Sequence, residues 1–201
     1  HLLEVLRESS PTAAREVRRL DDDVDALHSA VKLYLAQMPR DDLPDQDGRR
    51  WAEIIELAVN LEHAGDLIEQ MVGKLDNHKR ARHHRFSDSG LEELSELHAR
   101  LTHNLRLSLN VFLDGNRDNA RQLLHEKLRF RREERRLAHA HVDRLGQQVV
   151  QSIETSALHL ELIADMKRLN SLFCSSAYVV LGGSDTGGLM LDSVPDEARL
   201  P

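Results

Sequence analysis

The chain has 201 residues, 40% of them hydrophobic and only 3% aromatic, which is enough for one elongated domain or two small ones. Its 34 acidic residues outnumber 27 Lys and Arg, a formal charge of −7 that argues against a general nucleic-acid binder, which needs a basic surface. A single cysteine, Cys174, excludes an internal disulfide and a cysteine-based zinc site, no apolar run reaches the roughly eighteen residues of a membrane span, and the start lacks a signal-peptide pattern.

Leu, Ala, Glu and Arg dominate and alternating β-branched runs are scarce, so the chain reads as all-α. His1 already stands in a helical pattern, so residues 1–9 read as the end of a truncated helix and the chain as a fragment or processed product. Ser9-Ser10-Pro11 stops that helix, and Thr12 can cap the next, over 13–38, with Val17, Leu20, Val24, Leu27, Val31, Tyr34 and Met38 on one seam. A loop over 40–48 holds Pro44. A third helix, 49–78, carries the cleanest seam, Trp51, Ile54, Ala58, Leu61, Gly65, Ile68, Val72 and Leu75, alternating three and four as bundle helices do.

A basic joint from Lys79 to Arg85 follows, a solvated linker or a segment that touches anionic lipid headgroups, and Ser87-Asp88-Ser89 can cap a helix over 89–114. Asp114-Gly115-Asn116 ends it; an Arg- and Glu-rich helix spans 117–145, and a last helix spans 147–180. The glycines and prolines beyond Leu181 predict a flexible tail. The expected organisation is an incomplete first bundle over 1–78, a joint over 79–88, a second bundle over 89–180 and the tail over 181–201.

The two bundles repeat each other ninety-nine residues apart. Leu61-Glu62-His63-Ala64-Gly65-Asp66 aligns with Leu160-Glu161-Leu162-Ile163-Ala164-Asp165, and the register extends to Ile54 with Ile153, Ala58 with Ala157 and Leu75 with Cys174. Each copy places two acids at i, i+4, where like charges meet on one helix face at a cost of a few tenths of a kcal/mol. Small residues, Gly65 and Ala164, stand in the same layer of both copies and predict close helix approach beside the acids.

The first copy resembles the Leu-Glu-Arg-Ile-Gly-Asp signature of PhoU, the bacterial phosphate-uptake regulator, at its Leu, Glu, Gly and Asp; the second keeps Leu, Glu, Ile and Asp. Asp165-Met166-Lys167-Arg168-Leu169-Asn170 looks more like the PhoU-like tail of bacterial sodium/phosphate cotransporters, because Asn170 stands five residues past the Asp and Gln70 holds the four-residue place in the first copy. The resemblance covers roughly residues 1–180. It implies tandem three-helix bundles with the first helix truncated, a regulatory domain on the cytoplasmic face of the bacterial inner membrane, and as partners the membrane transporter portion of the same polypeptide or a signalling protein. The alternative is a stand-alone PhoU-type regulator.

The resemblance also implies metal clusters held by such motifs, with Glu62, Asp66, Glu161 and Asp165 as candidate ligands. Independently of it, Asp21, Asp25 and His28 share a stripe on the second helix at four- and three-residue spacing. If that stripe faces Glu62 and Asp66, four carboxylates and an imidazole converge, a set that Fe, Zn or Mn neutralises in helical bundles. The plain rival for each pair is a solvated or arginine-bridged surface pair. In the second bundle the arginines from Arg129 to Arg136 are expected to take the place of a cation beside Glu161 and Asp165.

Enzymatic signatures are missing: no nucleophile elbow, phosphate-binding Gly-Lys loop or His-Glu-x-x-His occurs, nor the paired Glu-x-x-His of di-iron oxidases. No catalytic activity is expected. A metal-binding helical bundle of another kind and a structural adaptor stand as rivals. Apolar surface left by an incomplete first bundle would suit a homodimer.

Overall fold

The structure is a computed structural model that describes residues 1–8, 10–38, 44–82, 85–146 and 150–182. The expected tail beyond Gly182, much of the first loop, and His83 and His84 of the basic joint lie outside them. The described residues form seven helices and no strand: α1 (Leu2–Glu8), α2 (Pro11–Ala36), α3 (Asp45–Arg82), α4 (Asp88–Asp114), α5 (Arg117–Gly146), α6 (Val150–Phe173) and α7 (Ser175–Leu181).

Boundaries differ from expectation where caps decide them. Ser10, not Thr12, caps α2: its Oγ accepts from the Ala13 amide at 3.3 Å, which leaves Pro11 in the first turn, where a missing N–H costs nothing. α3 starts right after Pro44, whose carbonyl accepts from the Gly48 amide at 3.0 Å, and it continues to Arg82, so most of the last loop residues and the first of the basic joint are helical. Ser87 caps α4 as expected, accepting from Gly90 at 3.2 Å. Gly115 closes α4 at φ 61, a left-handed conformation that suits glycine, and Asn116 Oδ1 opens α5 by accepting from the Asp118 and Asn119 amides.

The expected last helix is two. It breaks at fully buried Cys174, between two buried polar contacts with α4: Asn104 donates to Asn170 at 2.7 Å, and the Ser108 and Ser176 hydroxyls lie 3.0 Å apart. Burial pushes the Cys174 thiol up to about 12, which suits a packing residue better than a nucleophile.

α2 packs on α3 and α5 on α6, and α3 packs on α6. Asn60 donates to Ser175 at 2.8 Å and Lys74 to Asp165 at 2.6 Å, so α3 and α6–α7 run antiparallel. The main core crosses both halves, through Leu6, Val17, Met71, Leu97, Phe130 and Met166. A smaller one joins Val111 and Leu123 to Cys174 and Leu181.

The α2 seam is only partly buried. Val17 is inside, but Leu27 is 67% and Tyr34 66% exposed, because seven-residue α1 covers only the first turns of α2.

In the second half a buried polar cluster ties α4, α5 and α6. Arg144 clamps Glu93 with bonds of 2.6 and 2.7 Å, His159 Nε2 lies 3.2 Å from the same carboxylate, and the His159 and His141 rings stack 4.5 Å apart. His141 Nε2 lies 3.0 Å from the Ser156 hydroxyl. Burial alone would raise Glu93, but His159 and Arg144 outweigh it and hold the carboxyl at about 2. Burial, aided by the charges of His159 and Arg144, pushes His141 down to about 4.

The sign follows. The unfolded chain takes a proton on His141 near its ordinary 6.5 while the folded chain resists to about 4, so this stability is full above pH 6.5 and is lost as pH falls toward 4. Glu93 adds a further loss between about 4.5 and 2. Comparing wild type with His141→Gln by urea unfolding at pH 7 and pH 4.5 cancels the other titrating groups, the raised Asp21 among them, and wild type is expected to lose on the order of 2 kcal/mol more than the variant over that interval. An equal drop in the variant contradicts the assignment.

Candidate functional site

Both acidic turns sit where the helical register puts them, but their surroundings differ. On the first, the fourfold spacing of Glu62 and Asp66 aims both at α2. There Asp25 joins them: one ligand atom from each of Asp25, Glu62 and Asp66 lies within 4.8 Å of the others. Asp21, one turn back on α2, stands against Gly65, where any Cβ would collide with its Oδ1. The small residue at this layer is therefore space for a carboxylate as much as for a helix.

Asp21 Oδ1 and His28 Nε2 are buried without a hydrogen-bond partner. Burial, with the charges of Asp25, Glu69, Asp66 and Asp22, pushes the Asp21 carboxyl up to about 6. His28 lies beside the acids and not among them, lining an apolar cavity of about 300 Å3 with Leu61, Gly65, Ile68 and Phe173. Nearby cations serve other acids: Arg18 donates to Asp76 at 2.7 Å and approaches Glu69 at 3.9 Å. The exposed His63 ring lies 3.6 Å from Glu62.

Carboxylates this close repel unless protons or a cation intervene. The oxygen-rich donor set and the orphaned Asp21 oxygen fit a hard or borderline divalent ion.

On the second turn, Asp165 is only 2% exposed and Lys74 Nζ of α3 lies 2.6 Å from its Oδ2 and 3.6 Å from Glu161 Oε2. Arg168 adds a contact of 3.4 Å to Asp165. The arginines of α5, expected to fill this role, do not. Arg129 pairs with Glu126 and Arg136 with Glu133 on their own helix, and Arg136 and Arg144 reach α4. The α5 residue that does reach α6 here is Glu134, bonded to Lys167 at 3.2 Å. Glu161 and Asp165 thus meet a built-in ammonium, and this pair does not fit a metal.

Sequence reasoning missed Lys74. Its signal lay in the stripe Glu62, Asp66, Gln70, Lys74, four residues apart along one face of α3.

Comparison with known proteins gives the frame. Residues 1–74 match the PhoU domain family. A protein of Salmonella typhimurium named "Putative inorganic phosphate export protein YjbB" is 52% identical over 91% of this chain, and its namesake in Escherichia coli K12 is 51% identical over 87%. The chain spans about a third of the length of these curated relatives, 34% and 32% respectively. The crystal structure of PhoU from Pseudomonas aeruginosa superposes with a TM-score of 0.76 at 16% identity, covering 90% of this chain and 85% of that one. The fold is all-α and PhoU-like.

The Gly65 contact generates a test. Gly65→Ala gains up to about 1 kcal/mol of helix propensity while displacing the Asp21 carboxylate. Unfolding stability is expected to hold or rise, and Mn2+ affinity, read by calorimetric titration, to fall by about tenfold. Unchanged affinity removes Asp21 from the site.

Proposed function

We propose that this chain is a PhoU-type regulatory module that governs the movement of inorganic phosphate across a membrane by docking on a transport or signalling partner. The observation that carries the reading is 52% identity across nearly the whole chain to a protein whose name speaks of phosphate export. The PhoU-like fold supports the same class. The resemblance implied sodium-coupled uptake; the relatives' name points outward, and sodium coupling forms no part of the proposal.

In this reading the module is not an enzyme. It works by unequal affinity for two states of its partner, which is the only way a bound domain can bias a conformational equilibrium. Asp25, Glu62 and Asp66, with Asp21 beside them, would hold a divalent Fe, Mn or Zn ion; bound there, it would supply positive charge that ties α2 to α3. Asp21 and Asp25 bring the α2 side of that tie, Glu62 and Asp66 the α3 side. Gly65 keeps the space between them open.

Two arrangements suit the docking surface. The match that covers 85% of PhoU favours a regulator acting as a folded unit of its own. The greater length of the relatives favours a module joined to a further segment, which in the proposed arrangement is a transporter that holds it at the cytoplasmic face of the inner membrane. Among the described residues no helix is long and apolar enough to cross a membrane.

The test uses cells whose own copy of the protein carries this stretch in wild-type or altered form. Glu62→Gln with Asp66→Asn is expected to change radiolabelled phosphate efflux by about fivefold or more at equal protein level. Regulation restored by the 201-residue chain supplied as a separate polypeptide supports the self-contained arrangement; a requirement for covalent continuity supports the joined one. Removal of the segment without effect on phosphate flux or its regulation overturns both.

A further inference from the structure

The duplication makes a comparison that neither half allows alone. At the ninety-nine-residue register, Lys74 of α3 aligns with Phe173 of α6. Because α3 and α6 run antiparallel, each of these residues lies near the other helix's acidic turn. Lys74 meets Asp165 and Glu161, while Phe173 lines the cavity shared by Leu61 and Gly65. One turn receives an ammonium and the other a phenyl ring.

A second difference points the same way. Gly65 makes room for the Asp21 carboxylate, whereas the second copy has Ala164 and, from α5, Glu134 already bonded to Lys167.

We propose that Lys74 is the resident cation of the α6 acidic turn, a tethered ammonium standing where the repeat would otherwise need a metal ion, so that the module takes metal at the α2–α3 turn only. The metal half of this statement rests on the proposed function of that turn; the Lys74 half rests on the geometry at Asp165.

A carboxylate as buried as Asp165 must be paired, and a lysine on a neighbouring helix does this without depending on the supply of any ion. The bond also joins the two halves, since Lys74 belongs to the helix that carries Glu62 and Asp66. Metal occupancy at one end of the α3 stripe and the fixed ion pair at the other therefore act on the same rigid rod.

Two measurements on the full chain test this. The first counts bound Mn2+ equivalents in wild type, Glu62→Gln and Glu161→Gln. The proposal expects Glu161→Gln to keep the wild-type equivalents and Glu62→Gln to lose them; loss in Glu161→Gln equal to that in Glu62→Gln overturns it. The second is a double-mutant cycle in urea with Lys74→Met, Asp165→Asn and both together. Lys74→Met alone is expected to lower the folding equilibrium constant by about tenfold or more, and adding Asp165→Asn to restore most of that loss. Effects that simply add overturn the pairing. If wild type takes up no Mn2+, the metal reading of the α2–α3 turn fails and the cycle alone decides the role of Lys74.

Discussion

Charge neutrality at two acidic turns, set on antiparallel helices that pack together, is the constraint on which this molecule turns. Each half carries a Glu and an Asp one helical turn apart, like charges whose repulsion grows where a neighbouring helix takes them out of water. At Asp165 the answer is covalently part of the chain: Lys74, held across the α3–α6 seam. At Asp25, Glu62 and Asp66, which are partly open to solvent, the proposed answer is a divalent ion, and the Asp21 carboxyl beside them is raised.

This asymmetry gives the fold a division of labour. The second half is tied together by side-chain pairs: Arg144 clamps Glu93, His141 stacks on His159, and Asn104 donates to Asn170. The first half has a short α1, an exposed α2 seam and an acidic cluster beside an apolar cavity. In the proposed reading, a module that responds to its surroundings needs one part that stays fixed and one whose energy depends on what is bound, and the contrast between the halves would serve that.

Much of this was legible in the chain because helices report themselves locally. Ser87 before α4, the Asp114-Gly115-Asn116 stop and the doubled acidic motif all follow from spacings within a few turns; of the expected α3 seam only Val72 is fully inside, and Ala64, Leu67 and Met71, off that seam, are the other buried residues of the helix. The facing of Asp21 and Asp25 toward Glu62 and Asp66 was readable as two stripes, though only packing could bring them together. What lay hidden depends on which helix lies against which. Lys74 and Asp165 are ninety-one residues apart, and nothing local to either names the other. The α5 arginines looked better placed, yet they are drawn to acids on α5 itself and on α4, which are nearer. The break at Cys174 and the exposure of Leu27 are likewise tertiary: one falls between contacts to α4, the other follows from how little of α2 the seven residues of α1 cover.

Anomalous diffraction from crystals of the full chain grown with Mn2+ locates the charge that answers each turn. One metal peak is expected among Asp25, Glu62 and Asp66, with the Lys74 ammonium still bonded to Asp165. A peak between Glu161 and Asp165 with Lys74 turned away, or metal at that turn alone, contradicts it.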